Sequence, residues 1–483
     1  MNATSADVDV LVIGAGPTGL LLACELELAE LSVVLVDQAT ERSGQSRALG
    51  LQPRSAEILH SRGLLDPLMS DTIELVPGGH FAGLPVPLDY HTWDTEFPYQ
   101  VGIPQAKIEQ FLEDRLAQRG VPVQRGVALL GLTQDDDRVT ATFEDGTTIG
   151  ASYLVGCDGG RSMVRKLSRI AFPGRDGRFS AVVADVVLAD KRQGQGGWQL
   201  PSLVPQNGAV MSTLPLGDDV HRVLFTGPAQ QGIAKDQPVT FDEVSVALSK
   251  WYGEDVVLTQ LRWGSRFTDA ARQAEQYRLG RLFLAGDAAH VHSPTGGQGM
   301  NLGLQDAFNL GWKLAAHLRG EASETLLDTY HDERHPVAAA VLANTRAQGV
   351  LMVPDEDVAC LRGIFVDLLR LPAANHHLAG LASGLGVQYD VPCEHPLAGR
   401  RMPDLELKGP DGNTTVFELL HQGRALVLEL VGSELASKAV VRADGYVAWA
   451  SDDREAEPDV GDLLPMVRFQ GVAVGQACGR LRG

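Results

Sequence analysis

Cysteine is scarce and scattered in this chain. Cys24, Cys157, Cys360, Cys393 and Cys478 form an odd set without a CxxC pair. That excludes a redox dithiol and points to a reduced, cytoplasmic protein with no disulfide framework. No apolar run approaches the roughly 20 residues that span a bilayer. The opening MNATSADVDV lacks a basic segment and leads straight into an apolar run, so no secretory leader is expected. Positive charge is in deficit: 41 Lys and Arg stand against 61 Asp and Glu, a formal net charge of −20. Such a balance opposes non-specific binding to nucleic acid or anionic membranes, while leaving a local basic pocket open. No G-x-S-x-G elbow occurs, so a serine hydrolase has no support. His331 and His335 have an i, i+4 spacing, but HDERH lacks the Glu position of HExxH. His290 and His292 would share a face only in an extended segment. No metal site is expected.

What the chain does have is glycine in two telling places. Its 483 residues, 44% of them hydrophobic, suffice for two or three ordinary cores. Residues 283–301 read FLAGDAAHVHSPTGGQGMN. An apolar strand runs into Gly286-Asp287, and Gly296-Gly297-Gln298-Gly299 then opens a helix near Met300. This places one carboxylate and several free backbone N–H groups together, which suits sugar hydroxyls and a phosphate or an electron-rich ring. At the other end, Val8 to Ile13 reads as a buried parallel strand. Gly14-Ala15-Gly16-Pro17-Thr18-Gly19 fits G-x-G-x-x-G, Leu20 to Leu28 reads as a helix, and the strand Leu31 to Val36 closes on Asp37. Strand, turn, helix, strand and acid in that order predict a dinucleotide site.

Along the rest of the chain, Ser55 to Leu65 reads as a helix. Arg42, Arg47 and Arg54 lie in or beside SGQSRALGLQPRSAEIL, and Arg47 sits on a loop that could return to the nucleotide. Residues 71–104 gain Gly, Pro and aromatics and read as inserted strands and loops. Ile108, Phe111, Leu112 and Leu116 mark an amphipathic helix after Pro104-Gln105. Val121 to Val123 and Val127 to Leu132 read as short strands, and Val139 to Ile149 as a hairpin. Tyr153 to Gly159 is a further buried strand ending in Asp158-Gly159. Asp158 could touch a cofactor or cap backbone N–H groups. Cys157 reads as a small packing residue. Residues 172–268 carry strands at Ala181 to Leu188, Ala209 to Leu214, Arg222 to Phe225 and Leu258 to Trp263, with a helix near Phe241 to Trp251. They imply an antiparallel sheet with one face turned to a ligand, holding Trp198, Trp251 and Trp263. From about 346 the chain reads as helical, with Leu361 to Leu371 amphipathic. From His395 it is β-rich, with a helix near Ser433 to Ser437.

Three of these motifs together resemble the FAD-dependent aromatic hydroxylases, the single-component flavoprotein monooxygenases related to 4-hydroxybenzoate hydroxylase. They are GAGPTG with Asp37, the CDG turn at 157–159 with Ser162 and Arg165, and GDAAH with Pro294 and GGQGMN. QDAFNLGWKL at 305–314 and YHDERHPVA at 330–338 also look like that family, and the resemblance spans about residues 8–345. SRALGLQPRSAEIL, HFAGLP, YLVGCDGGRS and HPLAGRRMP narrow it to the actinobacterial aromatic polyketide hydroxylases.

The resemblance implies an α/β fold: a Rossmann-like FAD-binding domain (1–77, 101–171 and 269–345) with an inserted antiparallel-sheet substrate-binding domain (78–100 and 172–268). A helical connection (346–393) would lead to a thioredoxin-like C-terminal domain without CxxC (394–483), a packing or dimerisation module that leaves a homodimer open. Gly14, Gly16 and Gly19 would pack against the FAD pyrophosphate, with Pro17, Thr18 and Gln38 beside them. Asp37, where the family often has Glu, would hold the adenosine ribose, and the backbone near Leu129 would meet the adenine. Arg47 and Gln105 would contact the central part of FAD, and Arg47 is the candidate catalytic residue. Asp287 would bind the ribityl or pyrophosphate region. Pro294 and the 296–301 turn, with Gly297, Gly299, Met300 and Asn301, would lie beside the isoalloxazine. Asp158 would serve FAD and a passing nicotinamide cofactor; no second G-x-G-x-x-G follows another strand, in keeping with a family lacking a separate NAD(P)H domain.

The implied activity is hydroxylation of a polycyclic aromatic polyketide, anthracycline- or angucycline-like, in antibiotic biosynthesis. It would use non-covalent FAD, NADPH or NADH and O2, through a flavin C4a-hydroperoxide. Baeyer–Villiger insertion is an alternative outcome. An oxidase or dehydrogenase on the same scaffold, or a non-enzymatic FAD-binding or partner-binding protein, is an alternative of another class.

Overall fold

The computed structural model describes residues 6–190, 209–217, 219–353, 355–409, 412–458 and 466–473. Trp198 and Cys478 lie outside them. An eight-stranded mixed sheet organises the first part of the chain. Its main path runs Arg278–Leu279, Leu282–Leu284, Thr148–Gly156, Ala6–Ile13, Val33–Asp37 and Gln124–Arg125. Leu129–Gln134 and Val139–Phe143 extend it antiparallel from the start of Thr148–Gly156. The central strand is buried on both faces, with Val10, Leu11 and Val12 fully covered, as a parallel strand between helical layers requires. Helix Pro17–Leu28 begins with Pro at its first turn, where a missing N–H costs nothing. It packs against the long helix Gln298–Leu318.

Register is what builds the site. Ile13 stands opposite Val36 on one side and Gly156 on the other, and Gly156 stands opposite Leu284. The C-terminal ends of four parallel strands are therefore level. Gly14, Asp37, Asp158 and Gly286-Asp287 all leave the sheet along one edge. In open α/β sheets this edge is where ligands bind.

A four-stranded antiparallel sheet (Val210–Gly217, Val220–Thr226, Ser180–Asp190, Val256–Thr268) stands apart from the first sheet. Helix Phe241–Tyr252 covers one face of it through Val244 and Leu248, which pack on Val182, Ala184, Val186 and Phe225. The alternate residues carry the Asp185–Arg222 ion pair (2.8 Å), with Trp263 near the guanidinium. Two short strands, Glu74–Pro77 and Tyr99–Gly102, pair with each other in the earlier insertion.

The C-terminal sheet has six strands in the order Gly412–Thr415, Glu406–Gly409, Met466–Ala473, Ala425–Val431, Lys438–Val441, Val447–Ser451. The expected helix near Ser433 to Ser437 is not formed. Leu430 N donates to the Ser437 carbonyl, and Leu428 pairs with Ala439 across an antiparallel hairpin. So short a connection must reverse the chain, and Gly432 does so at φ +81°. The short strand expected at Val121 to Val123 forms instead at Gln124–Arg125, where it can pair with Asp37. The apolar stripe of helix Glu356–Leu369 is amphipathic as expected, yet Leu361, Ile364 and Leu368 on it are exposed.

Arginines lock the C-terminal sheet onto the first domain. Arg442 gives two hydrogen bonds to Glu333 (2.6 and 2.8 Å) and two to Asp444 (3.1 and 2.6 Å). Arg62 binds Glu25 and donates to the carbonyls of Leu420 and Ala443. Arg54 pairs with Glu57 and donates to the Asp444 carbonyl, and Arg401 reaches back to Glu57. All four arginines are buried. Burial alone would raise the Glu333 carboxyl, but Arg442 and Lys313 together hold it far below the usual range. Burial pulls Lys313 down to about 8, against the opposing pull of Glu333.

Candidate functional site

Three backbone hydrogen bonds stitch the strand ends: Gly14 N to the Val36 carbonyl (2.8 Å), Cys157 N to Ile13 (2.7 Å) and Ala285 N to Gly156 (3.0 Å). Each glycine of the first turn has a separate reason. Gly14 sits at φ +106°, and a Cβ there would come within 2.4 Å of the Cys157 carbonyl oxygen. A Cβ on Gly19 would lie 1.9 Å from the Gly14 carbonyl oxygen, so that glycine admits the helix to the turn. A Cβ on Gly16 would meet nothing within 4 Å. Gly16 is the N-cap of helix Pro17–Leu28 and supplies no side-chain cap. An uncapped helix start facing open space is a place for an anion.

Asp37 is half-buried and holds the turn from the next strand. One carboxylate oxygen accepts from Ala15 N (2.7 Å) and the other from Ala39 N (2.8 Å). Each oxygen keeps a lone pair for a ligand hydroxyl. Gln38 is exposed beside it. Val127 N donates to the Asp37 carbonyl and Gly126 N to that of Ala39. The backbone just before Leu129 therefore borders the same mouth, while the Leu129 side chain is buried in the core. Pro17 is half-buried in the first helical turn. Thr18 sits so close to Gly286 and Gly303 that a Cβ on either would strike its hydroxyl, at 2.7 and 2.3 Å. Its contacts are thus to the second glycine motif.

That motif is held from beneath by Asp306, fully buried on helix Gln298–Leu318. One Asp306 oxygen accepts from Gly286 N (3.1 Å) and His290 Nε2 (2.6 Å), and the other from Arg334 Nε (2.8 Å). Burial would raise the Asp306 carboxyl, but His290 and Arg334 bring it below its ordinary value. Asp287 stands exposed between buried Gly286 and Ala288, and no hydrogen bond or ion pair engages it among the described residues. Arg165 ties the third motif in, donating to the carbonyls of Ala288 (2.6 Å) and Gly160 (2.9 Å). Asp158 caps the following turn, one oxygen accepting from Met163 N (2.6 Å) and Val164 N (3.1 Å). Its other oxygen is buried without a partner among the described residues, and burial pushes its carboxyl up.

The second glycine turn opens the long helix. Gly296 and Gly297 both take left-handed backbone, at φ +77° and +63°. Gly297 is an N-cap without a side-chain bond, and a Cβ there would meet nothing within 4 Å. Pro294 is exposed at the start of the turn, and Gly299 and Met300 are half-buried. Asn301 is buried and spends its amide on backbone: it donates to the carbonyls of Gly50 (3.1 Å) and Gly297 (2.9 Å) and accepts from Gln52 N (2.7 Å). Arg47 is exposed on the loop leading to this point. Gln105 clasps that loop: its side-chain oxygen accepts from Ala48 N (3.1 Å), and its own N–H donates to the Ala48 carbonyl (3.0 Å).

His290 and His292 do not converge. His290 serves Asp306, and His292 Nδ1 donates to the Ser293 carbonyl (2.6 Å). The rings of His331 and His335 lie 4.8 Å apart, tilted by 48°, with His331 Nδ1 accepting from Tyr277 N. Three site residues had no assigned role in the sequence, Asp306, Arg334 and Gln52. The segments QDAFNLGWKL, YHDERHPVA and LQPRSAEIL contain them, but what each binds is set by distant chain.

The edge thus fits a dinucleotide cofactor on its own features. Two uncapped helix starts, open space over Gly16 and Gly297, a half-buried Asp37 and an exposed Asp287 are the features that suit it. A family model described as "FAD binding domain" matches residues 7–345, and one described as "Aromatic-ring hydroxylase, C-terminal" matches 395–440. A rifampicin monooxygenase of Streptomyces venezuelae is 43% identical, over 92% of this chain and 96% of its own length. The solved anhydrotetracycline hydroxylase OxyS of Streptomyces rimosus superimposes with a TM-score of 0.85 at 40% identity, covering 94% of this chain and 97% of its own. A dialkyldecalin synthase of Streptomyces rugosporus is 35% identical over 91% of this chain and 95% of its own length.

Proposed function

This chain belongs to the FAD-binding-domain family of aromatic-ring hydroxylases and is a flavoprotein monooxygenase, and from that premise we propose that it hydroxylates a polycyclic aromatic polyketide, a phenol or quinone, using NAD(P)H and O2. The observation that supports this best is the common edge where four strand ends and two uncapped helix starts meet. The rifampicin and anhydrotetracycline enzymes, similar over nearly their whole length, supply the substrate class.

When bound, FAD supplies the oxygen-activating chemistry, and the protein supplies orientation and dryness. The N–H groups after Gly16 would carry the pyrophosphate, and Asp37 and Asp287 would accept hydroxyls from the ribose and the ribityl chain. The Gly296–Asn301 turn would present backbone N–H groups to the ring. Asp158, already a cap, would act through the turn it holds. Arg47, on the loop fixed by Gln105, would bring a cation to the reacting end. The four-stranded sheet would bound the substrate with its uncovered face, so apolar area would dominate binding and a few polar groups would set orientation.

Anaerobic reduction by NADPH, with and without anhydrotetracycline, tests the reading. Substrate should speed flavin bleaching, and oxygen should then yield a product heavier by one oxygen atom. Coupled turnover of 4-hydroxybenzoate or a simple phenol, with tetracyclic phenols inert, would sink the polyketide assignment. Denaturation should release yellow flavin, since the contacts proposed for it are all non-covalent; flavin left on the unfolded chain would refute that. The dialkyldecalin synthase relative favours one other reading, ring closure without net oxidation, in which the flavin would stay oxidised throughout product formation.

A further inference from the structure

Gln52 sits where three separated segments meet, and every polar atom it owns is spent there. It is buried as the N-cap of helix Pro53–His60. Its N–H donates to Asn301 Oδ1 (2.7 Å). Its side-chain nitrogen donates to the Gly296 carbonyl (3.0 Å) and to Gln100 Oε1 (3.2 Å). Its side-chain oxygen accepts from the Tyr90 hydroxyl (3.3 Å). Gly296 and Asn301 belong to the second glycine turn; Tyr90 and Gln100 belong to the insertion between the first nucleotide segments. Gln100 in turn donates to the Gly78 carbonyl (2.9 Å).

Tyr90 reaches this position because residue 79 is glycine: a Cβ on Gly79 would lie 2.2 Å from the Tyr90 oxygen. Burial raises the Tyr90 hydroxyl well above its ordinary pKa, so it stays protonated and donates across the neutral range. The amide of Gln52 is thereby oriented, oxygen toward Tyr90 and nitrogen toward Gly296.

We infer that Gln52 is a positioning residue that fixes the flavin-facing glycine turn through the Gly296 carbonyl and couples that turn to the 78–100 insertion through Tyr90 and Gln100. This rests on the reading that the 296–301 turn faces the flavin. A buried residue with all its hydrogen bonds made has one preferred orientation, because any other leaves polar groups unpaired. Gln52 therefore transmits a displacement of the insertion to the turn, with no side chain of its own on the reacting atoms.

The test is a double-mutant cycle of Gln52→Met and Tyr90→Phe in the full-length chain, read by FAD titration of the flavin-stripped protein and by the visible absorption bands of the reconstituted flavin. Melting of each apoprotein is the control. Each single variant should weaken FAD about three- to tenfold, the effect of one or two buried hydrogen bonds. Each should also shift the flavin bands. Tyr90→Phe should add nothing in the Gln52→Met background. Effects that multiply independently, or a wild-type flavin spectrum in both variants, overturn the inference. A lower melting temperature with an unshifted flavin band in the folded fraction also overturns it, since that is a structural role alone. Should Gln52→Met fail to fold, Tyr90→Phe removes one oxygen only, and its flavin band decides. Failure of wild-type turnover with NADPH and anhydrotetracycline would sink the proposed reaction and leave this result standing. A wild-type chain that takes up no FAD would sink both.

Discussion

The strand-end mouth and the seam under the C-terminal sheet are both charged, and they are built in opposite ways. At the mouth, Asp287 is exposed without a partner among the described residues, and Gly16 and Gly297 leave room for something that is not protein. At the seam, Arg442 spends four hydrogen bonds on Glu333 and Asp444, and its guanidinium lies near the rings of Trp312, Tyr389 and Tyr446. Unpaired polar groups are costly when buried and harmless when a ligand or water can reach them. An exposed, unpaired charge therefore marks the binding edge, and buried, paired charges mark the structural joint.

The strongest way to break this contrast is at the seam. Glu333→Ala strips both Arg442 and Lys313 of a carboxylate inside the protein, and should cost about 3–5 kcal/mol of stability. Denaturant unfolding of the apoprotein measures it, and FAD affinity of the folded fraction should stay near wild type. A loss of FAD with unchanged unfolding would reverse the roles of the two regions.

Asp287→Ala probes the mouth with the reverse expectation. Removing an exposed charged acceptor should weaken FAD by about 1.5–3 kcal/mol, roughly 10- to 150-fold. Apoprotein stability should move by less than about 0.5 kcal/mol. Flavin content after purification, with the apoprotein melt beside it, separates the two; unchanged flavin content would remove Asp287 from the site.

Asp404 sharpens the contrast as a half-buried carboxylate near the seam without a salt bridge among the described residues. One of its oxygens accepts from Phe417 N (2.7 Å), while the other is buried and unpaired among the described residues, close to His60 and Glu96. Burial pushes its carboxyl up from 3.8 to about 6. The folded state then binds the proton more tightly than the unfolded chain, so this group's contribution falls as pH rises from about 4 to about 6 and is flat above. Asp404→Asn should be more stable than wild type by about 1 kcal/mol at pH 7.5, after allowance for partial exposure, with the advantage gone below pH 4. Paired denaturant midpoints at pH 4, 5, 6 and 7.5 show the trend, and an advantage that grows toward acid would contradict it.

How far each region could be read from the chain follows from the same physics. The mouth announces itself because a strand, a tight turn and a helix start are local: the GAGPTG spacing, the closing Asp37 and the GD before GGQG are all set within a few residues. The four strands of the second sheet were legible for a similar reason, since apolar runs separated by turn residues encode them. The helix expected at Ser433 to Ser437 failed because the antiparallel pairing of Leu428 with Ala439 outranks local propensity. In the sequence Asp158 suits cofactor contact and capping equally, and only the fold places two of its bonds on Met163 and Val164.

By itself, then, the sequence determined that a nucleotide-binding α/β chain with inserted strands would form, and which glycines and acids would line its turns. Tertiary structure alone decided that four strand ends would be level, that Asp306 would brace Gly286 through His290 and Arg334, and that Gln52 would meet Asn301 across 249 residues of chain. Glu333, 109 residues away from Arg442, is likewise brought to it by the fold. A turn is specified by the backbone freedom of a few neighbouring residues, whereas a buried hydrogen bond is specified by whichever distant partner the packed core leaves within 3 Å.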